Sequence, residues 1–312
     1  YIVSYFMKSI LITGVNGFIG SNLSKYFYAK DYLIYGVSKQ PLKNKLTFFK
    51  EYISEELLGE KVQNLLKKIK PDYIFHCAGN SSIQNSIKNP LSDFYNNSYI
   101  TFNILNCIRQ FTPNSKFFFF SSAAVYGDPK KLPISENENP NPISPYGFHK
   151  SIAENICEEF SKLYSLNIIV LRIFSAYGPG LRRQIFYDLM KKFMDDDQIL
   201  LKGTGNESRD FIHVFDICQA IELIMNTKNQ SFEIFNIGNG EEIKIKKIAY
   251  LFSNYLNSTK SIKFDMVKNI GMPLNWRSDI TKLNNIGFKK NIAFEKGIED
   301  YIKWYKKEIL ML

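Results

Sequence analysis

Lys8-Ser9-Ile10-Leu11-Ile12-Thr13-Gly14-Val15-Asn16-Gly17-Phe18-Ile19-Gly20 runs from a short apolar segment through a glycine turn into a helix. Ile10, Leu11 and Ile12 are strand formers, and Phe18, Leu23 and Phe27 then recur at helical spacing. Strand, glycine turn and helix in that order is the setting a dinucleotide-binding turn requires. Gly14 permits the tight turn, Gly17 lets the backbone approach a pyrophosphate, and Gly20 allows close helix–strand packing. The positive helix N-terminus then receives the negative charge. The spacing is G-x-x-G-x-x-G rather than G-x-G-x-x-G, and an ordinary glycine-rich turn has the same composition.

Outward from that turn, strands and helices alternate up to residue 172. Strands are expected near 8–13, 32–37, 72–76, 116–121 and 167–172, and helices near 18–29, 55–69, 91–110 and 145–164. The pattern predicts an α/β fold built on a doubly wound parallel sheet. Past 172 the alternation loosens. A helix near 184–195, short strands near 198–202 and 232–236, and helices near 215–226, 279–286 and 295–308 are expected there. Residues 128–143, rich in Pro, Asn and Glu, read as a surface loop.

Two further stretches carry chemistry. Phe117-Phe118-Phe119-Phe120-Ser121-Ser122 reads as a buried parallel strand delivering Ser122 to its carboxyl end, where open α/β sheets place their sites. Ser144-Pro145-Tyr146-Gly147-Phe148-His149-Lys150 reads as a helix start, with Ser144 as N-cap and Pro145 as first helical residue. Tyr146 and Lys150 then share one helix face. A neighbouring ammonium and the helix N-terminus both favour the phenolate, drawing the phenol down from about 10. That pair suits acid/base work at a sugar or alcohol hydroxyl.

Composition bounds the alternatives. With 45% hydrophobic and 22% charged residues, the 312-residue chain is that of a globular protein. It has no run of about 18 apolar residues, so no membrane span is expected. Residues 1–6 are apolar but lack a basic flank, so Met7 is a candidate start and a cleaved leader is not expected. Cys77, Cys107, Cys157 and Cys218 have no paired spacing, which fits a reducing cytoplasm, and no metal site is expected. The net charge of +10 is lysine spread along the chain, without the basic stripe that nucleic-acid binding needs. It suits attraction of an anionic nucleotide.

Taken together, Thr13 to Gly20, His76-Cys77-Ala78-Gly79, Asn97, Ser121 to Pro129, Ser144 to Lys150, Arg172 to Gly180, Gly203 to Asp216 and Asn236-Ile237-Gly238 resemble the extended short-chain dehydrogenase/reductase family. The branch most similar is the one acting on nucleotide-diphosphate sugars. The resemblance spans nearly the whole chain. It implies a Rossmann-type dinucleotide-binding domain over 1–172, with segments near 210–240 returning to it, and a smaller C-terminal α/β substrate-binding lobe over 173–312. It implies Tyr146 as acid/base, Lys150 as the cation that tunes it and holds the nicotinamide ribose, and Ser122 as donor to the reacting oxygen. Gly14, Asn16, Gly17, Phe18, Ile19, Gly20, Ser38, Lys39, Ala78, Gly79 and Asn97 would line the cofactor. Ser122, Ala123, Ser175 and Arg209 would meet the substrate, with the Arg209 guanidinium gripping its diphosphate. His76 is expected as a polar strand end and Arg172 as a strand closer, neither as a ligand. A homodimer through a helix pair including 145–164 is common among relatives.

Departures from the family pattern narrow the reaction. Dehydratases of this type place a Ser-Glu or Asp-Glu pair where this chain has Ala123 and Ala124, and 3,5-epimerases place a cysteine at the position of Ala123. Both activities are therefore disfavoured. Ser175 replaces a family asparagine and Asn269 a family arginine, and Arg182, Arg183 or Arg277 could compensate. The second strand ends in Ser38-Lys39 instead of the carboxylate that binds NAD ribose, which leans toward NADP over NAD. The expectation is a nucleotide-diphosphate-sugar 4-epimerase. A 4-keto-6-deoxy-sugar reductase consuming NADPH is the alternative, and a non-catalytic cofactor sensor a distant one.

Overall fold

The computed structural model describes residues 7–42, 48–228, 230–267 and 271–311. Residues 1–6, which bear on the start at Met7, and Asn269 lie outside the described residues. The chain forms two compact units. The first comprises residues up to Val125, Ser144–Arg172 and Lys228–Phe235; the second comprises Tyr126–Ile143, Ile173–Thr227 and Asn236–Leu312.

In chain order the first part runs β1 (Ser9–Thr13), α1 (Phe18–Tyr28), β2 (Leu33–Ser38), β3 (Phe49–Ser54), α2 (Glu60–Ile69) and β4 (Tyr73–His76). It continues with α3 (Ile83–Lys88), α4 (Pro90–Phe94), a π-helical turn (Tyr95–Tyr99), α5 (Ile100–Phe111), β5 (Lys116–Ser122), α6 (Pro145–Tyr164) and β6 (Ile168–Ile173). Then follow β7 (Ser175–Tyr177), α7 (Gln184–Asp195), β8 (Ile199–Leu201), β9 (Ser208–Arg209), β10 (Phe211–His213) and α8 (Val214–Asn226). The last are β11 (Phe232–Ile237), β12 (Ile243–Lys244), α9 (Ile245–Tyr255), β13 (Ile262–Phe264), α10 (Thr281–Asn285) and α11 (Phe294–Ile309).

A seven-stranded sheet has the order β11-β6-β5-β4-β1-β2-β3, with β1 flanked by β2 and β4. β3, β2, β1, β4 and β5 pair in parallel. The strand order reverses beside β1, which makes the carboxyl end of β1 the switch point where such sheets bind ligands. β5 shows why the sheet is covered on both faces. Phe117 and Phe119 join Ile104, Leu105, Ala153 and Phe160 on one side. Phe118 meets Phe75 on the other, with ring centroids 5.1 Å apart, and Phe75 meets Phe27 of α1 at 5.4 Å. Each such buried phenylalanine contributes about 1.5–3 kcal/mol.

The α/β expectation holds, with instructive differences. β3 escaped the sequence reading because it is an edge strand with only Ile53 buried, so its pattern is not a continuous apolar run. The helix expected over 91–110 is broken into α4, the π turn and α5, with Pro90 opening α4. In α9, Ile245, Ile248, Ala249 and Phe252 have helical spacing that the sequence reading passed over. In the second unit, β10 pairs with β7, β12 with β9 and β13 with β8, in strands of two or three residues too short to show a period. Among the described residues no helix is long and apolar enough to cross a membrane.

Candidate active site

The glycine turn is shaped by close approach. Gly14 has φ +69°, and a Cβ there would lie 2.8 Å from the Ala78 backbone in the loop after β4. Gly14 N–H donates to the Val37 carbonyl at 2.8 Å and Gly17 N–H to the Gly14 carbonyl at 2.9 Å. A Cβ on Gly20 would meet the Gly14 carbonyl at 2.5 Å, so α1 starts hard against the turn. Gly17 caps α1 without a side-chain oxygen, leaving the first-turn amides of Phe18 and Ile19 without a side-chain cap. That is a cradle suited to a pyrophosphate. Asn16 Nδ2 donates to the Gln40 carbonyl and the Tyr52 hydroxyl at 2.9 and 3.2 Å, tying the turn to the segment after β2.

Ser38 ends β2, as the sequence indicates. Lys39 Nζ lies 3.0 Å from a Glu56 carboxylate, at half exposure. That partner offsets part of the positive charge a 2′-phosphate would need.

His76 ends β4 fully buried. Its Nδ1 is 2.9 Å from Thr13 Oγ1 and its Nε2 is 3.3 Å from Thr101 Oγ1. Burial pulls its pKa down to about 3, with Lys150 adding in the same direction, so it is neutral and structural. Beyond it, Ala78 N–H donates to Thr13 Oγ1, and Gly79 takes φ +152°. A Cβ on Gly79 would lie 2.8 Å from Asn97 Oδ1 and 3.5 Å from Lys150 Nζ, so glycine lets both side chains crowd this loop.

Asn97 sits in the π-helical turn, 1% exposed. Its Oδ1 and Nδ2 are both buried without a hydrogen-bond partner in the protein. An orphaned buried amide costs about 1–3 kcal/mol. Such a group fits a cofactor that supplies the missing partner, and π turns recur at functional sites.

α6 carries Tyr146 and Lys150, the pair expected to do acid/base work. Ser144 Oγ accepts the Gly147 N–H at 3.2 Å and Pro145 opens the helix, as its sequence predicts. Tyr146 N–H donates to Ser86 Oγ at 3.1 Å, and Tyr146 is buried. Lys150 is also buried, and its Nζ donates to the Phe120 carbonyl at 2.8 Å. Desolvation draws its pKa down to about 8, opposed first by the Asp93 carboxylate. It remains a cation at neutral pH.

The two serines ending β5 part company. Ser121 donates its hydroxyl to Glu154, whose carboxylate also takes Arg172 Nε at 3.1 Å and Nη2 at 2.8 Å. That serine is structural. Ser122 Oγ instead accepts the Ala124 N–H at 3.2 Å, which leaves its own O–H available as a donor. Ala123 and Ala124 are buried in a 3₁₀ turn and offer no acid or base.

In the second unit, Ser175 N–H donates to the Asp210 carbonyl at 2.9 Å. Arg209 is 9% exposed and lies 5.3 Å over the Trp276 ring. Its guanidinium donates to the carbonyls of Ser208, Leu274 and Pro273 at 2.6, 3.1 and 2.9 Å. The obvious ion-pair partners are engaged elsewhere: Asp210 accepts from Ser278, Asn239 and Gly240, and Glu207 from the Thr204 N–H. Burial lowers its pKa to about 10 without discharging it. A buried cation that donates to three carbonyls and lies over an indole ring suits an anionic ligand. Arg182 stacks on Trp304, at 5.6 Å. Arg277 lines a cavity of about 450 Å³ with Glu241, Lys247, Lys290, Phe294 and Glu295. None of the residues assigned to cofactor or catalysis lines that cavity. Among the described residues no group of three or more His, Cys, Asp or Glu could hold a metal ion.

Residues the sequence reading missed are Asn80, Ser86, Asp93, Ser98, His149 as a side chain, and Glu154. Their hydrogen bonds run between residues 13 to 60 positions apart, which no local pattern reports.

A switch-point glycine turn with an orphaned amide, Ser122 at the end of β5, and Tyr146 and Lys150 on α6, where Lys150 reaches the Phe120 carbonyl, match the pattern of a dinucleotide-binding enzyme of the short-chain dehydrogenase type. The sequence pattern of the NAD dependent epimerase/dehydratase family matches residues 10–238, and the chain belongs to that family. It is 29% identical over 292 residues to an uncharacterized UDP-glucose epimerase of Bacillus subtilis, covering 89% of this chain and 91% of the relative. It superposes with a TM-score of 0.87 on a UDP-glucuronic acid 4-epimerase from Bacillus cereus, solved with UDP-glucuronic acid and NAD, at 26% identity over 96% of this chain and 99% of that one. A UDP-N-acetylglucosamine 4-epimerase from Methanobrevibacter ruminantium M1, solved with UDP-N-acetylmuramic acid, gives a TM-score of 0.87 at 26% identity over 97% and 99%.

Proposed function

We propose that the protein is a nucleotide-diphosphate-sugar 4-epimerase, with a UDP-hexose or UDP-hexuronic acid as the substrate class. The observation that carries this reading is a complete Ser122, Tyr146 and Lys150 set in which Ser122 is followed by Ala123 and Ala124. Proton transfer at a hydroxyl is provided for, and elimination of water is not. The full-length likeness to solved 4-epimerases supports it.

The cofactor is a nicotinamide dinucleotide, assigned to Gly14, Asn16, Gly17, Phe18, Ile19, Gly20, Ser38, Lys39, Ala78, Gly79, Asn97, Tyr146 and Lys150. When bound it takes up and returns the hydride at the sugar's C4. Tyr146 removes the proton from the C4 hydroxyl and later restores it. Lys150 favours the phenolate by its charge, and Ser122 donates to the same oxygen to orient it. Arg209 is assigned to the diphosphate, and Ser175 and Ala123 to the sugar nucleotide.

The missing carboxylate after β2 keeps a second reading in play, reduction of a 4-keto-6-deoxy sugar at the expense of NADPH. The Lys39–Glu56 contact weighs against a strong 2′-phosphate preference. Four free cysteines fit a reducing cytoplasm. We further infer a homodimer. Tyr95, Tyr99 and Phe102, and Phe148 and Ile152, recur at one-face spacing and are each 40–53% exposed.

The test is a panel pairing 4-hydroxy UDP-sugars with 4-keto-6-deoxy sugars, followed by nicotinamide absorbance and NMR. The 4-epimerase reading expects C4-inverted product with no net change in added cofactor. Stoichiometric loss of NADPH with a keto sugar would replace it with the reductase.

A further inference from the structure

A buried polar network joins the cofactor loop to the catalytic helix, and the chemistry assigned above leaves it unused. Its centre is Asp93 in α4, wholly buried. One carboxylate oxygen accepts from Asn80 Nδ2 at 2.7 Å. The other lies 2.6 Å from His149 Nδ1. Asn80 directly follows Gly79, and its own Oδ1 accepts the N–H groups of Ser81 and Ser82. His149 directly precedes Lys150 in α6. Its carbonyl accepts from Ser98 Oγ at 2.8 Å, and its ring stands edge-on to Phe94 at 5.5 Å.

We propose that Asp93 and His149 are positioning residues for the catalytic pair. On this account Asp93 clasps the loop at Gly79 to α6 through Asn80 and His149, the residue next to Lys150. The clasp rests on the acid/base roles assigned above to Tyr146 and Lys150.

A buried carboxylate is costly, and a leucine would pack α4 against α6 without that cost. What the carboxylate adds is direction and charge. The groups acting on Lys150 are Asp93 from α4, Cys77 from the loop after β4, and Cys157 and Glu154 from α6. Asp93 is the largest of them in favour of the charged form. His76 faces Lys150 from β4 and is held neutral.

The test compares Asp93→Asn, His149→Leu and His149→Asn in the full chain, by kcat and KM across pH. In Asp93→Asn the alkaline limb of kcat should move to lower pH by about one unit, as a buried carboxylate that favours the Lys150 ammonium is removed. His149→Leu should lower kcat about tenfold with little change in KM, the mark of lost orientation rather than lost binding. His149→Asn should recover most of that loss, because its amide can donate to Asp93. A purely structural role would lower melting temperature in all three variants, leave the limb in place and show no rescue, and that result overturns the proposal.

A readout independent of substrate is the 13C-lysine NMR titration of Lys150, assigned by its disappearance in Lys150→Met. If the wild-type protein turns over nothing on the sugar panel, the functional reading falls while this titration still judges the clasp. A Lys150 signal that titrates identically in wild type and Asp93→Asn would sink the clasp whatever the substrate. Should Asp93→Asn fail to fold, the kcat ratio of His149→Asn to His149→Leu decides, a ratio of one rejecting the proposal.

Discussion

Tyr146 and Ser122 are ordinary residues made unusual by their surroundings. Tyr146 is buried one turn from a buried lysine, and Ser122 is the serine of its pair whose hydroxyl is not given to Glu154. Replacing Tyr146 with Phe should lower kcat by about 10²–10⁴-fold, the range for loss of a general acid/base, while sugar-nucleotide binding by calorimetry stays within a few-fold. Full activity in that variant would remove Tyr146 from the mechanism. His76 gives a stability prediction with a defined sign. The folded state holds it neutral down to about 3, whereas an unfolded chain protonates it below 6.5. Its contribution is therefore complete above 6.5 and is lost as pH falls, at about 1.4 kcal/mol per unit. Between pH 7 and 5, His76→Gln should flatten the urea-unfolding stability profile by about 2 kcal/mol relative to wild type. An unchanged slope would mean His76 takes up its proton in the folded protein.

At the scale of the element, α6 is the most constrained segment of the first unit. Its start is set by the Ser144 cap and Pro145, its first turn is held by Ser86 at the Tyr146 amide, and its second by Lys150 on the Phe120 carbonyl. The end of β5 and the start of α6 are thus tied by Lys150, the lysine proposed for catalysis. Ser144→Ala should cost about 1 kcal/mol of stability, the usual value of an N-cap. Thermal melts with and without added NAD would show it, and a loss near zero would mean that Pro145 and Ser86 alone set the helix start. The cap and the proline were legible in Ser144-Pro145-Tyr146 because capping is local chemistry. Ser86 was not, since it lies 60 positions away and reaches Tyr146 only after folding.

At the scale of the whole molecule, the exposed rings on the π turn, α5 and α6 are the feature most at odds with a lone chain in water. Tyr95 and Tyr99 stack at 5.1 Å, and Phe148 is 53% exposed on α6. Sedimentation equilibrium should give twice the chain mass of 36.3 kDa for wild type. Phe148→Glu combined with Ile152→Glu should shift it to monomer, because like charges cannot be buried unpaired at such a face. A wild-type monomer at micromolar concentration would refute the dimer.

By itself the sequence determined the parallel-sheet architecture, the glycine turn, the capped start of α6 and the serine at the end of β5. Each of these is written in local spacing: period 3.6 in helices, an unbroken apolar run in a strand covered on both faces, and glycine where the chain turns sharply. The tertiary structure alone decided which groups are paid for. It gave Ser121 to Glu154 and left Ser122 as a donor, left the Asn97 amide without a partner, and surrounded Arg209 with carbonyls. It also joined Asp93 to His149 across 56 positions. Burial and hydrogen-bond partnership are properties of residues distant in the chain, and they come into being only when the strands and helices have packed.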